Sequence, residues 1–223
     1  MRTKIDINTW KRKENYLFFK DFVTPFFSIT VEMDVTKAYK KSKEKGYKFS
    51  LYCMYAALKA VNENESLRYR QLDGEIYLYD RIELNTPIAR ADHSFSSVIL
   101  PYYKTFSGFS QAALPIIEAA ERGEGDAYSA DARKDTFVVS INKWYNFTGA
   151  TFQIPQNAGE SIPLMALGKM VSKEGRLQMP AVMNFHHGFT DGYNVGLFNG
   201  TGFRNCWTKT ENSEQSCISR CFC

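Results

Sequence analysis

Histidine is scarce in this chain, long apolar runs and blocks of like charge are missing, and each shortage excludes a class of function. No apolar stretch reaches the length needed to cross a bilayer. Met1 to Trp10 are polar and charged, without the apolar segment of a secretory signal. A cytoplasmic protein with no membrane partner is the expectation. The 28 basic and 24 acidic residues leave a net charge of +4, and the two signs are interspersed, so no nucleic-acid arm is expected. The lysine-rich stretch from Lys37 to Lys48 is broken by Tyr39, Glu44 and Gly46 and reads as a solvated helix face. Only Cys53 lies in the body of the chain; Cys206, Cys217, Cys221 and Cys223 crowd its end without a paired Cys-x-x-Cys, which argues against zinc.

What is present is aromatic. The chain has 17 Phe and 13 Tyr, a composition that favours a folded protein containing strands. Its 223 residues suit one domain with a sizeable core. After Phe198 the composition turns to Ser, Thr, Asn and Cys with no helical or strand period. The expected division is a domain over 1–198 and an irregular, disordered or foreign tail over 199–223.

Within the domain the pattern predicts interspersed helices and hairpins. Lys11 to Phe22 reads as a short amphipathic helix. Phe27, Ile29, Val31, Met33 and Val35 alternate with polar residues, which predicts a half-buried strand. Thr36 is the expected cap of a helix ending at Gly46, and Ser50 that of an apolar helix from Leu51 to Asn62. Asp73-Gly74 predicts a hairpin between Leu67–Tyr69 and Glu75–Tyr79. Strands are expected at Ile82–Ala89, Phe95–Leu100, Thr136–Ile141, Ala150–Pro155, Ile162–Val171 and Met179–His186, with a turn at Glu174-Gly175-Arg176. Phe109 to Arg122 reads as a helix despite Pro115, and Gly123 to Lys134 as a loop. The hairpins exclude a purely parallel sheet. The fold class expected is α/β (α+β), with a mixed, largely antiparallel sheet.

Two of the three histidines, His186 and His187, are adjacent at the end of a predicted strand, with His93 alone elsewhere. Neighbouring strand residues point to opposite faces, so the two are poor co-ligands for one metal; His93 is a lone candidate third ligand, and no carboxylate cluster completes the set. Acid–base work suits them better, because imidazole titrates near neutrality. Asp191, four residues after His187, either orients the histidine or braces the loop through a basic partner. A satisfied structural histidine and a turn aspartate are the plain alternative.

The run Phe185-His186-His187-Gly188-Phe189-Thr190-Asp191-Gly192-Tyr193 resembles the signature of the chloramphenicol acetyltransferase family. Asn8-Thr9-Trp10-Lys11-Arg12-Lys13-Glu14 is similar to that family's opening, Phe27-Ser28-Ile29-Thr30 to the strand after its first helix, and Ser140-Ile141-Asn142-Lys143-Trp144-Tyr145-Asn146-Phe147 to its central segment. The resemblance spans about Lys4 to Phe198. It implies a homotrimer of a two-layer α/β fold, CoA-dependent acyltransferase-like, with active sites between subunits. It also implies acetyl transfer from acetyl-CoA, a cosubstrate and not a bound cofactor, to a hydroxyl of chloramphenicol, conferring antibiotic resistance.

Residue by residue, the resemblance implies that His187 is the general base and that Ser140 donates to the oxyanion of the tetrahedral intermediate, with no covalent enzyme intermediate. Asp191 and Arg12 are implied to pair structurally, Lys169 to lie near acetyl-CoA, and Phe18, Phe19, Val23, Phe95 and Phe152 to line the acceptor pocket. The sequence departs from the pattern where Ala166 replaces a threonine, Phe19 a tyrosine and Pro25 a small residue, and no helix is recognisable after Phe198. Two alternatives keep the fold: an acetyltransferase for another small hydroxylated acceptor, and an inactive trimeric binding protein.

Overall fold

The computed structural model describes residues 1–125, 133–153 and 161–199. In chain order the elements are β1 (Arg2–Lys4), α1 (Lys13–Phe19), β2 (Phe26–Asp34), α2 (Thr36–Glu44), α3 (Phe49–Glu63), a 3-10 turn (Glu65–Leu67), β3 (Tyr69–Leu72), β4 (Glu75–Tyr79), β5 (Glu83–Ala89), β6 (Phe95–Leu100), α4 (Phe106–Glu121), β7 (Thr136–Ile141), β8 (Leu164–Leu167), β9 (Val171–Lys173), β10 (Arg176–His186) and α5 (Gly192–Leu197). The main sheet runs β2-β10-β8-β7-β5-β6, with β9 also on β10; β1, β4 and β3 form a small second sheet. Among the described residues only β5–β7 and β7–β8 pair in parallel within the main sheet. The sheet is therefore mixed and largely antiparallel, as the hairpin signals predict.

Alternation does what a period of two requires on β2: Ser28, Thr30 and Glu32 are exposed while Met33 is fully buried. The buried side of the sheet carries Leu84, Phe137, Val139, Met165, Ala181, Met183 and Phe185, packed with α3 and the apolar side of α4. Helix α3 is buried from Leu51 to Leu58 without a break, because it is sandwiched between the sheet and its neighbours and not laid on a surface. Arg70 is the largest polar side chain in the interior at 1 % exposure. Its guanidinium donates to the carbonyls of Leu67, Tyr69, Lys134 and Thr136, which ties the small sheet to β7.

Several local expectations are corrected. Helix α1 is shorter than Lys11 to Phe22, and the turn after it leads straight into β2. Thr36 does not cap α2: its hydroxyl donates to Asp34 Oδ1 and accepts from the Leu177 N–H, so it joins β2 to β10. Ser50 lies inside α3, whose first turn has no side-chain cap. Helix α4 starts three residues earlier than expected, because the Thr105 side chain accepts from the Gly108 N–H, and Pro115 is held inside it. Leu67 belongs to the 3-10 turn and not to β3. The single strand expected over Ile162–Val171 divides into β8 and β9, and Glu174 and Gly175 make the turn to β10 at φ 49° and 75°.

No strand forms at 150–153, and the rest of the strand expected at Ala150–Pro155 lies outside the described residues. The same holds for most of the predicted loop at Gly123–Lys134 and, apart from Asn199, for the tail over 199–223. No helix among the described residues is long and apolar enough to cross a membrane.

Candidate functional site

Strand β10 delivers the two histidines to the sheet end and there sends them to opposite sides. His186 is buried, stacked at 4.6 Å on Phe189 and edge-on to Phe26 at 5.4 Å. The His187 ring instead lies nearly parallel to Phe19, with centroids 4.1 Å apart at 7°, and 4.5 Å from Phe27. Its backbone N–H donates to the Pro25 carbonyl at 2.7 Å, which anchors the start of the turn to the chain entering β2. Nδ1 of His187 is buried with no hydrogen-bond partner among the described residues. Nε2 is the ring nitrogen left open to a reactant.

The turn after His187 is closed by carbonyl, carboxylate and aromatic contacts. The His186 carbonyl accepts from the N–H groups of Phe189 and Thr190, both at 3.0 Å. Asp191 takes the N-cap position of α5: its Oδ1 accepts from the Asn194 N–H at 3.1 Å and from Asn194 Nδ2 at 3.0 Å. Its Oδ2 receives Arg12 Nη1 at 2.9 Å. Burial pulls the Asp191 carboxyl upward, but the Asn194 and Arg12 contacts outweigh it and leave the pKa lowered, so Asp191 is an anion at neutral pH. Asp191 makes no hydrogen bond to His187 among the described residues, which favours the brace over the orienting role. Beneath the turn, Trp10, Tyr16, Tyr69, Ile76 and Phe189 form a second apolar cluster that joins α1, the small sheet and the turn.

The other named residues divide between this region and the rest of the sheet. Phe18 packs edge-on to Phe19 at 4.9 Å, and both contact Phe22. This aromatic group next to His187 is open: Phe18 is 65 % exposed and Val23 fully so. Phe95 opens β6, at the far edge of the sheet, and is also exposed. Phe152 is half-buried in the stretch beyond β7 and is not on a strand.

Ser140 pairs with Ala166, and Ala166 with Val182, so the three share one row across β7, β8 and β10. His187 comes five residues after Val182. With ~3.3 Å per residue along a strand and ~4.8 Å between strands, the Ser140 and His187 backbones lie roughly 19 Å apart within one chain.

Lys169 follows β8 on a bend stitched to the segment after β7. Its N–H donates to the Tyr145 carbonyl at 2.9 Å, and its carbonyl accepts from Asn146 Nδ2 at 3.0 Å. Trp144 and Tyr145 on that segment are 65 % and 60 % exposed, and Lys143 Nζ sits 5.6 Å over the Trp144 ring. Exposed aromatics and lysines thus gather at the end of β7 that carries Ser140.

Sequence reasoning did not find α5, the Pro25 anchor, the stack of Phe27 on His187 or the role of Trp10 in the second cluster. Only α5 had a local signal, since Asp191 is a preferred capping residue three places before Asn194.

The chloramphenicol acetyltransferase family pattern matches residues 1–201. A chloramphenicol acetyltransferase of Staphylococcus aureus is 32% identical over 199 residues, covering 87% of this chain and 91% of the relative. A solved structure of a chloramphenicol acetyltransferase superposes with a TM-score of 0.84 at 37% identity, covering 92% of this chain and 99% of that one. A probable dihydrolipoamide acetyltransferase from Listeria monocytogenes, at a TM-score of 0.65 and 16% identity over 95% of this chain and 97% of its own, shares the fold. With the matching run around His187, these likenesses place the chain in the chloramphenicol acetyltransferase family.

Proposed function

We propose that this protein transfers the acetyl group of acetyl-CoA to a hydroxyl of chloramphenicol, as a cytoplasmic homotrimer that confers resistance to the antibiotic. The observation that carries the reading is His187, held between two aromatic rings at the end of strand β10 with Nε2 open.

In this mechanism Nε2 takes the proton from the acceptor hydroxyl as its oxygen attacks the thioester carbonyl carbon. The imidazolium formed is supported by the faces of Phe19 and Phe27. The Ser140 hydroxyl donates to the oxyanion of the tetrahedral intermediate. Collapse breaks the carbon–sulfur bond, and the CoA thiolate leaves with the proton returned by His187. No acyl-enzyme is needed. Cys53, the one cysteine among the described residues, is buried, and burial raises its thiol pKa well above the usual range. Asp191 and Arg12 hold the His187 turn without joining the proton transfer. Lys169, with the exposed Trp144 and Tyr145 beside it, offers charge and apolar surface to acetyl-CoA.

The ~19 Å between the Ser140 and His187 rows supports a site shared between copies, since both must reach one carbonyl. The exposed Phe18 and Val23 with the half-buried Phe19 on one side, and Phe95 and Phe152 on the other, are then the two halves of an acceptor pocket. Such a pocket needs apolar walls with few polar groups. Acetyl transfer to another small alcohol fits the same chemistry, because Phe19 offers no hydroxyl to an acceptor.

Thiol release from acetyl-CoA with chloramphenicol tests the activity directly; no release above background from an intact oligomer rejects chloramphenicol as acceptor. His187→Ala is expected to lower kcat by about 100- to 10,000-fold while acetyl-CoA binding persists, and near-normal turnover removes His187 from the base role. Mixed oligomers of His187→Ala and Ser140→Ala chains are expected to turn over faster than either parent. No gain would place both residues in one chain's site.

A further inference from the structure

The residue before His187 has no step in the proposed chemistry, yet it is the more deeply buried of the two, at 4 % exposure. Its Nδ1 accepts a hydrogen bond from the Gly188 N–H at 3.1 Å. Gly188 in turn is shaped to it. A Cβ at that position would stand 3.0 Å from His186 Cε1 and 3.1 Å from the Tyr16 Cα. Ring and turn therefore interlock, and a side chain at 188 would force them apart.

A nitrogen that accepts from an amide carries no hydrogen, so the single ring hydrogen of His186 belongs on Nε2. Burial agrees with this, lowering the pKa from 6.5 to about 4 and keeping the ring neutral at neutral pH. His187 has no comparable tie of its own side chain: Nδ1 is unpartnered among the described residues, and the ring is held only by stacking. Its aim depends on the backbone, anchored on one side by the Pro25 carbonyl and on the other by the turn built on His186.

We propose that His186 is a positioning residue for the transfer reaction: its Nδ1 lone pair fixes the Gly188 amide, and thereby the direction in which His187 presents Nε2. The inference rests on His187 being the base. A single amide bond adds little to stability, but a displacement of ~1 Å at a catalytic group costs up to about 100-fold in rate.

The test compares His186→Asn with His186→Leu. The two side chains are of similar size and both lose the ring, but Asn Oδ1 takes the place of Nδ1 as acceptor and Leu offers none. With chloramphenicol and acetyl-CoA, His186→Asn is expected to keep kcat within roughly threefold of wild type and His186→Leu to lose at least ~10-fold, with KM for acetyl-CoA little changed in either. The Gly188 amide should resist hydrogen exchange in wild type and His186→Asn and exchange readily in His186→Leu. In the unmodified protein, ring 15N shifts should show His186 as the neutral Nε2–H form at pH 7. Equal kcat in the two variants, or an Nδ1–H ring in wild type, overturns the proposal. If neither variant folds, the ring tautomer and Gly188 protection in wild type still decide it. Failure of the base reading is separate: it appears as turnover in His187→Ala, whereas the His186 tautomer and Gly188 protection do not depend on it.

Discussion

One oxygen of Asp191 receives Arg12 Nη1 at 2.9 Å while the other caps α5 through the Asn194 N–H at 3.1 Å. Residues 179 positions apart are thereby joined across the turn that carries His187. Removing either partner strands the other in a site where Arg12 Nε and Nη2 are already buried without partners among the described residues. We predict that Arg12→Ala and Asp191→Ala each destabilise the protein by about 1–3 kcal/mol and lower activity through the turn. The double variant should lose less than the sum of the singles, because one interaction is removed only once. Urea midpoints and kcat for the four proteins supply the cycle, and additive losses contradict the pairing.

His186 makes the folded protein sensitive to acid. Its folded pKa of about 4 lies below the ordinary 6.5, so between those values the unfolded chain binds the proton and the folded one does not. Stability from this group is intact above pH 6.5 and declines as pH falls toward 4, by up to about 3 kcal/mol. Thermal midpoints should drop over that window in wild type and drop less in His186→Asn, measured as the difference between the two curves. Parallel curves would show that His186 is not the group responsible.

Gly168 is close-packed where Lys169 begins. A Cβ there would stand 2.6 Å from Pro180 Cγ and 2.8 Å from Phe147 Cε1. Pro180 cannot swing away cheaply, since it is locked in β10. Gly168→Ala is expected to destabilise by about 1–3 kcal/mol through overpacking and to raise KM for acetyl-CoA more than it lowers kcat. A neutral change in both would mean that the bend tolerates displacement.

Thr86 lies fully buried on β5, with a hydroxyl that has no hydrogen-bond partner among the described residues. Valine has the same shape without the polar atom. Thr86→Val is expected to stabilise by about 1 kcal/mol or more, the penalty of an unsatisfied buried hydroxyl, with unchanged kcat. Denaturant unfolding decides it, and a destabilised variant would imply a partner for the hydroxyl.

Period and turn chemistry made much of the fold legible. The alternation from Phe27 places β2 within one residue, Thr136–Ile141 and Phe95–Leu100 are strands at the bounds expected, and Asp73-Gly74 turns the hairpin between β3 and β4. The errors have more than one cause. Thr36 looks like a cap, but its hydroxyl joins β2 to β10; Ala150–Pro155 looks apolar enough for a strand, but 150–153 pair with nothing in the sheet.

Sequence alone determined the family of the chain and the order of its matching segments: the opening around Arg12, the Ser140–Phe147 run and the double histidine. Those depend on residue identity at fixed local spacing, which a linear reading can see. Tertiary structure decided how these segments meet. It pressed Phe19 and Phe27 onto the His187 ring and set the His186 ring against Tyr16 and Phe189. It also set Ser140 and His187 at separate places on one sheet. Apart from His186 on Phe189, each of these relates residues far apart in the chain, set by strand register and by how layers pack, and no local pattern of residues encodes it.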